Sequence, residues 1–406
     1  MAAQEFSQVS GIVHFVPTVE RLLYGIEVVG THLAAEVERL QGQRVLLLTP
    51  RSLQHRSLTN RVRAALGSRL VDSFTASFEH VPLESITEAA AIARHCNTDL
   101  IVTLGGGSVI DTGKALRTCL AAGITTAKEL GAFMEHPVSA AGPFISQVSI
   151  PTTLSGAEYT RSFSATDFAQ GIKRSYTNSA VASRTILYDP TVTMDTPIRL
   201  WLASGVMAIN HAVEVFCSSL PHLVGDTFKL AALRYLLPAL PCTRQVPDDL
   251  GARLSCQVGA WLADHSPLRA QSLLSTTTAL PSHALAYELS ALCRVPYGLT
   301  ACVTLPACLR WSAARMPQAA ARQAALARAL GVASQQSPDA EAASRLADAL
   351  QALITQLELP TRLRDVEVSR KDITRIARQF AGRGASLTGV AAASEVDVMA
   401  LLESTW

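Results

Sequence analysis

The residues of this chain best placed to do chemistry are Gly105, Gly106, Gly107 and Ser108, followed by Asp111 and Lys114. Three successive glycines let a backbone approach a ligand with no side chain in between. If a helix starts at this point, its first N–H groups have no intrahelical partner and its dipole presents a positive end. That combination predicts a phosphate cradle. Ser108 adds a hydroxyl donor, and Lys114, further into the helix, can reach back as a point charge. The same glycines could simply cap a helix in a tight turn. The order Gly-Gly-Gly-Ser, then Asp, then Lys favours the phosphate. Thr152, Thr153 and Ser155 form a second cluster of hydroxyl and backbone donors. By itself such a cluster reads as a loop.

The neighbouring segments must hold these residues in place. Asp99–Thr103 is an apolar run that reads as a short buried strand, and Ala115-Leu116-Arg117 begins a helical pattern, giving strand, glycine turn, helix. Upstream lie strand-like Ile12–Phe15, an amphipathic stretch over Thr31–Leu40, and a strand over Arg44–Thr49 that ends at Pro50. A helix over Leu53–Leu66, a strand over Val71–Phe78 and a helix over Pro82–Cys96 follow. Downstream, Phe144–Pro151 reads as a strand that runs into the threonine turn. This alternation predicts a doubly wound, mostly parallel, Rossmann-like α/β domain. In such sheets ligands sit beyond the carboxyl ends of the strands, where the glycine turn falls. From about Pro197 onward helical periodicity replaces strand-like runs. The expected division is an α/β domain over 1–190 and an all-helical domain over 191–406, with loops at 241–247 and 335–338.

With 406 residues the chain is long enough for two domains, and 49% hydrophobic against 17% charged residues is a globular balance. A net charge of +2 gives no basic field for nucleic acid or a membrane surface. The N-terminus lacks a basic region followed by an apolar one, and no stretch has the length of a membrane span. Eight scattered cysteines without a CxxC pair read as free thiols in a reducing compartment, so a cytoplasmic protein is expected.

Leu104–Lys114, LGGGSVIDTGK, resembles the GGGSxxDxxK signature of the iron-containing alcohol dehydrogenase family, which also holds glycerol dehydrogenases and maleylacetate reductases. Gly113 stands where that family usually has Ala. Pro151–Glu158 is similar to the family's PTTxxxGSE segment, which lines the cofactor's pyrophosphate and nicotinamide. Thr185–Pro190 resembles the family's last strand of the N-terminal domain, ending in an Asp-Pro turn, and Leu359–Leu363 resembles its C-terminal region, so the likeness spans nearly the whole chain. The resemblance implies the dehydroquinate synthase-like, iron alcohol dehydrogenase fold and an NADPH or NADH cofactor. It places cofactor contacts at Thr49, Pro50, Arg51, Gly105, Gly106, Gly107, Ser108, Asp111, Lys114, Thr152, Thr153 and Ser155. At Thr49-Pro50-Arg51 no carboxylate is present to repel a 2′-phosphate, and Arg51 could pair with one, so NADPH is expected at least to be accepted.

The resemblance also implies a metal site in the helical domain, facing the nicotinamide, and there this chain departs from the pattern. Ser204–Glu214 resembles SGMDAxxHAxE: His211 fills the histidine position, but Met207 replaces the aspartate. In the later segment His283 matches a ligand histidine, Tyr297 replaces another, and Tyr287 replaces a nearby histidine associated with proton transfer. A thioether and a phenol are poor company for iron(II) or zinc. A functional metal is therefore not expected. Such losses, with Gly259-Ala260-Trp261, point to the maleylacetate reductase branch, although that branch generally keeps three histidines and this chain keeps two. His211, His283, Tyr287 and Tyr297 are then the candidate hydrogen-bond donors or acids for a carbonyl oxygen. His222 and His265 carry no such support and read as structural. Arg161, Lys173 and Arg174 could receive a substrate carboxylate but fit a solvated loop face better. The expected function is metal-independent, NAD(P)H-dependent reduction of a ketone, aldehyde or oxo acid by a homodimer, with no nucleic acid or membrane partner. One alternative is a member that binds the nucleotide but catalyses a non-redox step or serves as a non-catalytic partner. The other is a metal-dependent alcohol dehydrogenase with unusual ligands.

Overall fold

A computed structural model describes residues 19–76, 79–138, 140, 142–217, 221–264, 281–388 and 393–406, with the backbone alone at 382–388. The strand expected at Ile12–Phe15 and His265 lie outside the described residues. The chain divides into two compact units between Pro197 and Ile198. Residues beyond the Asp-Pro turn stay with the first unit for local reasons. Pro190–Thr193 forms a 3-10 turn, and the Thr196 hydroxyl donates to the Thr152 carbonyl at 2.8 Å.

The first unit is built on six parallel strands: β1 (Arg21–Tyr24), β2 (Val45–Pro50), β3 (Leu70–Ala76), β4 (Leu100–Gly105), β5 (Ser146–Pro151) and β8 (Thr185–Tyr188). Their order across the sheet is β1-β8-β5-β4-β2-β3. Strands β2, β4, β5 and β8 read as near-continuous buried runs, as a parallel sheet covered on both faces requires. Helices α1 (Val28–Arg39), α2 (Ser57–Leu66), α3 (Leu83–His95), α4 (Gly107–Ala122) and α5 (Ala127–Glu135) connect them. After β2 the chain moves one way along the sheet, and after β4 it moves the other. The carboxyl ends of β2 and β4 therefore form the switch point at which open α/β sheets bind ligands. The Asp-Pro turn ties the sheet edge down: Asp189 accepts from the N–H groups of Glu27 (3.2 Å) and Val29 (3.1 Å) at the start of α1, where the helix dipole favours a carboxylate.

The segment carrying Lys173 and Arg174 is a strand of an antiparallel hairpin, β6 (Ser162–Asp167) and β7 (Ile172–Thr177), rather than a loop. Lys173 and Arg174 are half-buried on it, and Arg174 pairs with Glu135 at 3.6 Å.

Gly113, the residue at which this chain departs from the family signature, faces β4 and β5 across a tight helix–sheet contact. A Cβ there would lie 2.7 Å from the Thr103 methyl and 3.1 Å from the Gln147 amide. That amide belongs to a buried network, donating to Thr103 Oγ1 (3.3 Å), Ser149 Oγ (3.2 Å) and the Ile110 carbonyl (3.3 Å). Gly113→Ala gains about 1 kcal/mol of helix propensity but overpacks the contact and disturbs the network. We expect a net loss of about 1–3 kcal/mol in urea unfolding. A variant as stable as the parent would show that the network yields freely.

The second unit is helical among its described residues. Its opening helices are α6 (Ile198–Phe216), α7 (Leu223–Gln245) and α8 (Leu250–Asp264), followed by helices over Ser282–Cys293, Tyr297–Arg315, Pro317–Ala329, Asp339–Gln356, Arg370–Thr388 and Glu395–Glu403. The loop expected at 241–247 begins only after Gln245, because α7 continues through Pro238 and Pro241. Each proline removes one backbone hydrogen bond. The buried apolar residues Leu233, Leu236, Ala239 and Leu240 nevertheless hold this stretch within the helical unit. Gly259 allows α8 to approach α7 closely, since a Cβ there would meet the Leu236 side chain at 2.7 Å. His222 is structural, as expected: its Nδ1 accepts from the Gly225 N–H at 3.2 Å and caps α7. No helix among the described residues is long and apolar enough to cross a membrane.

Candidate active site

In the α/β unit the two donor turns predicted from sequence, more than forty residues apart, interlock. The Thr152 N–H donates to the Gly105 carbonyl at 3.0 Å. A Cβ on Gly106 would meet Thr153 Oγ1 at 3.1 Å, and one on Gly107 would meet Ser155 Oγ at 2.7 Å. Gly105 also lies against Pro50, 3.2 Å from where its Cβ would be, so the Thr49–Arg51 corner joins the same site. Helix α4 starts at Gly107 with Gly106 as its extended N-cap, which leaves first-turn N–H groups for an anion. Thr49 is fully buried, whereas Arg51 is exposed at the end of β2. The close approach of backbone to backbone fits the pyrophosphate of a dinucleotide.

Asp111 and Lys114 do something other than reach towards a phosphate. The Lys114 ammonium is fully buried and donates to the carbonyls of Ala157 (2.5 Å) and Ser162 (2.8 Å), to Thr160 Oγ1 (2.8 Å) and to Asp111 (3.3 Å). Asp111 also accepts from the Ser164 N–H at 3.3 Å. Together they fasten α4 to the segment leaving the second turn, so they hold the cradle's two halves in register. Burial pushes the Lys114 ammonium below its ordinary range and the Asp111 carboxyl above its own, while the attraction between the two opposes both shifts.

In the helical unit His211 and His283 come together, with ring centroids 5.1 Å apart. His211 is on α6, and His283 is near the start of the helix over Ser282–Cys293. Glu214, one turn after His211, accepts the His283 backbone N–H at 2.8 Å, so a carboxylate at a helix N-terminus sets the approach of the two segments. The Tyr297 hydroxyl lies 3.2 Å from His283 Nδ1 and 3.3 Å from its Nε2. Tyr287 stands one turn after His283 on the same helix and is half-buried. Met207 is buried one turn before His211.

One further residue takes part that carries no sequence signal. Asp264, the last residue of α8, holds His211 Nδ1 at 3.0 Å from its Oδ2, and its side chain is fully buried. Lys229 of α7, also fully buried, donates to the carbonyls of Leu262 (3.3 Å) and Ala263 (2.5 Å) and so caps the end of α8 beside it. The other ring nitrogen of His211, Nε2, is buried and has no hydrogen-bond partner among the described residues.

The donor set at the family's metal positions is a thioether, two imidazoles and a phenol, with one imidazole nitrogen already taken by a carboxylate. That set does not fit iron(II) or zinc. No group of three or more His, Cys, Asp or Glu among the described residues could hold a metal ion.

A glycine turn at the switch point of a parallel sheet and, in the helical unit, a pair of imidazoles are features expected of a nicotinamide-dinucleotide oxidoreductase. The chain belongs to the iron-containing alcohol dehydrogenase family: the profile "Iron-containing alcohol dehydrogenase" matches residues 20–190, and "Fe-containing alcohol dehydrogenase family, C-terminal" matches 201–406. It is 32% identical over 321 residues, 79% of this chain and 80% of the relative, to a maleylacetate reductase of Burkholderia cepacia. It is 28% identical to the crystal structure of a putative alcohol dehydrogenase from Ralstonia eutropha JMP134, with a TM-score of 0.77 and 98% of each chain covered. It also shares the fold of maleylacetate reductase from Agrobacterium tumefaciens, at 22% identity and a TM-score of 0.76, covering 98% of this chain and 99% of that one. The protein is an NAD(P)-dependent oxidoreductase acting between alcohols and carbonyl compounds.

Proposed function

We propose that this enzyme reduces an oxo acid of the maleylacetate type with NADPH or NADH and without a Lewis-acid metal. The observation that carries the proposal is the histidine pair: His211 and His283 are brought together, and His211 keeps one buried nitrogen without a partner among the described residues. Gly105–Ser108, Thr152, Thr153 and Ser155 would hold a reduced nicotinamide dinucleotide, which would supply the hydride. The chain's own residues must then meet the charge that develops on the substrate oxygen. His211 donates the proton at Nε2, and His283, oriented by Tyr297, adds a hydrogen bond to the same oxygen. Similarity to maleylacetate reductases supports the substrate class. Arg51, exposed at the end of β2 with no carboxylate beside it in sequence, supports acceptance of a 2′-phosphate.

The test follows nicotinamide absorbance while purified enzyme is offered maleylacetate and a panel of aldehydes, ketones and oxo acids, with NADPH and NADH separately. Metal content is measured on the same sample. Turnover of maleylacetate that survives chelation is the expected result. Stoichiometric iron or zinc whose removal abolishes turnover would overturn the metal-free reading, and tight NADH binding with no NADPH binding would overturn the cofactor reading.

A further inference from the structure

We infer that Asp264 is the positioning residue of the reaction: it holds His211 in the tautomer that leaves Nε2 for the substrate, which makes a carboxylate–imidazole dyad out of a family metal position. The inference rests on the reading of His211 as the proton donor and goes beyond it, because neither the signature motifs nor the family's ligand pattern includes position 264.

Asp264 Oδ2 is 3.0 Å from His211 Nδ1, and both side chains are buried. A carboxylate only accepts, so Nδ1 must carry a hydrogen for this contact to be a bond. With Nδ1–H fixed, Nε2 is the nitrogen that exchanges a proton, and it is the one with no partner among the described residues. Rotating the ring away would give up this buried contact with a carboxylate, which is costly. The carboxylate is itself held. It ends α8, whose last carbonyls receive the Lys229 ammonium, so a cation offsets the helix's negative end beside it. Met207, at the position that carries a carboxylate ligand in the family, offers His211 no such partner. The carboxylate that stands against this imidazole thus comes from α8 and not from α6.

The carbonyl carbon takes the hydride supplied by the reduced nicotinamide, with its electron pair. The carbonyl oxygen takes the proton from Nε2 of the His211 imidazolium. His211 is left neutral with Nδ1–H still donated to Asp264, and Asp264 is a carboxylate throughout. In alcohol oxidation the same dyad accepts the proton at Nε2.

Asp264→Asn keeps the size of the side chain and can still occupy the site, but it removes the charge that stabilises the imidazolium and can present an N–H to Nδ1, which selects the wrong tautomer. With maleylacetate and NADPH we expect kcat to fall about 100- to 10,000-fold with KM within about threefold. Asp264→Glu should recover at least about tenfold of that loss. A residue that only joined α8 to α6 would lower thermal stability and leave kcat within about tenfold, and that result would overturn the inference. Nitrogen NMR of the intact parent protein, with His211 assigned by its loss in His211→Asn, supplies a readout independent of turnover and of whether Asp264→Asn folds. A hydrogen on Nδ1 is expected, and a hydrogen on Nε2 alone in the neutral ring would overturn the inference. The two readings fail separately. If His211→Asn keeps its activity, His211 is not the proton donor; if His211→Asn is inactive while Asp264→Asn is active, only the dyad is refuted.

Discussion

His211→Asn is expected to lower kcat for carbonyl reduction by about 10²- to 10⁴-fold while NADPH affinity stays within about twofold. Asparagine is chosen because its amide nitrogen sits near the place of Nδ1 and can go on donating to Asp264. His211→Ala would instead take a buried partner from the Asp264 carboxylate and confuse lost chemistry with lost stability, since removing one partner of a buried pair costs about 3–5 kcal/mol. Asparagine has no proton to give at the Nε2 position. The remaining donors are His283 and the Tyr297 hydroxyl that lies against it, and the His283 ring is centred 5.1 Å from that of His211. They can still hydrogen-bond a developing oxyanion, so some rate over solution should survive, as it does when one member of a catalytic set is removed. The proposed cofactor contacts lie on different segments, from Thr49 to Ser155, so affinity for NADPH is expected to hold. Turnover within tenfold of the parent would move the proton donor elsewhere, with His283 the next candidate.

The contrast between the two turns and the histidine pair also shows what a single sequence can and cannot disclose here. The central strands were legible because β2, β4, β5 and β8 are short apolar runs bounded by turn residues, the pattern of strands buried on both faces. Strand β1 is only Arg21–Tyr24, an edge too short and too polar to stand out, and it is held by charge: Arg21 pairs with Glu36 at 2.6 Å. The β6–β7 hairpin alternates in pattern, but its Ser, Thr, Lys and Arg residues read as a loop. The last turn of helix α7 reads as a loop because Pro241 is a strong local breaker, yet tertiary packing of the helix's leucines overrides it. The type and order of the glycine-turn residues single out this turn, but not the task of Lys114, which depends on carbonyls from 157–162 that no motif joins to it. Likewise His211 and His283 were found through the family pattern. Asp264 could not be, because its meaning lies in a contact between the end of α8 and the middle of α6. A lone aspartate at a helix C-terminus has no distinguishing spacing, and the helix dipole there disfavours it, so only the folded chain explains why it is tolerated.

Gly107→Ala should act in the opposite sense to the His211 change, weakening NADPH binding about 30- to 300-fold while leaving kcat at saturating cofactor within about threefold. The added methyl would lie 2.7 Å from Ser155 Oγ, 3.0 Å from Ser155 Cβ and 3.5 Å from Ala157 Cβ. Alanine is a good residue in the first turn of a helix, so helix propensity favours the change by up to about 1 kcal/mol. The cost falls on the neighbouring turn. Rotating the serine hydroxyl relieves only one of the two shortest contacts, because Ser155 Cβ cannot move without its backbone. The turn from Thr152 to Ala157 must therefore back away from α4, and Lys114, which ties α4 to Ala157 and Ser162, resists that movement. Overpacking of this kind costs about 1–3 kcal/mol. If both turns contribute donors to one pyrophosphate, their separation also lengthens hydrogen bonds to the ligand, each worth more because its acceptor is charged. The sum corresponds to about 2–3.4 kcal/mol of binding free energy. Fluorescence titration of reduced nucleotide measures the affinity, and a thermal melt run alongside separates lost binding from lost folding. A folded Gly107→Ala enzyme that binds NADPH as tightly as the parent would show that the two turns do not share a ligand. The pair of variants is informative together: one should bind and not turn over, the other turn over and bind weakly, and that split is what a cofactor cradle and a proton donor on separate units must produce.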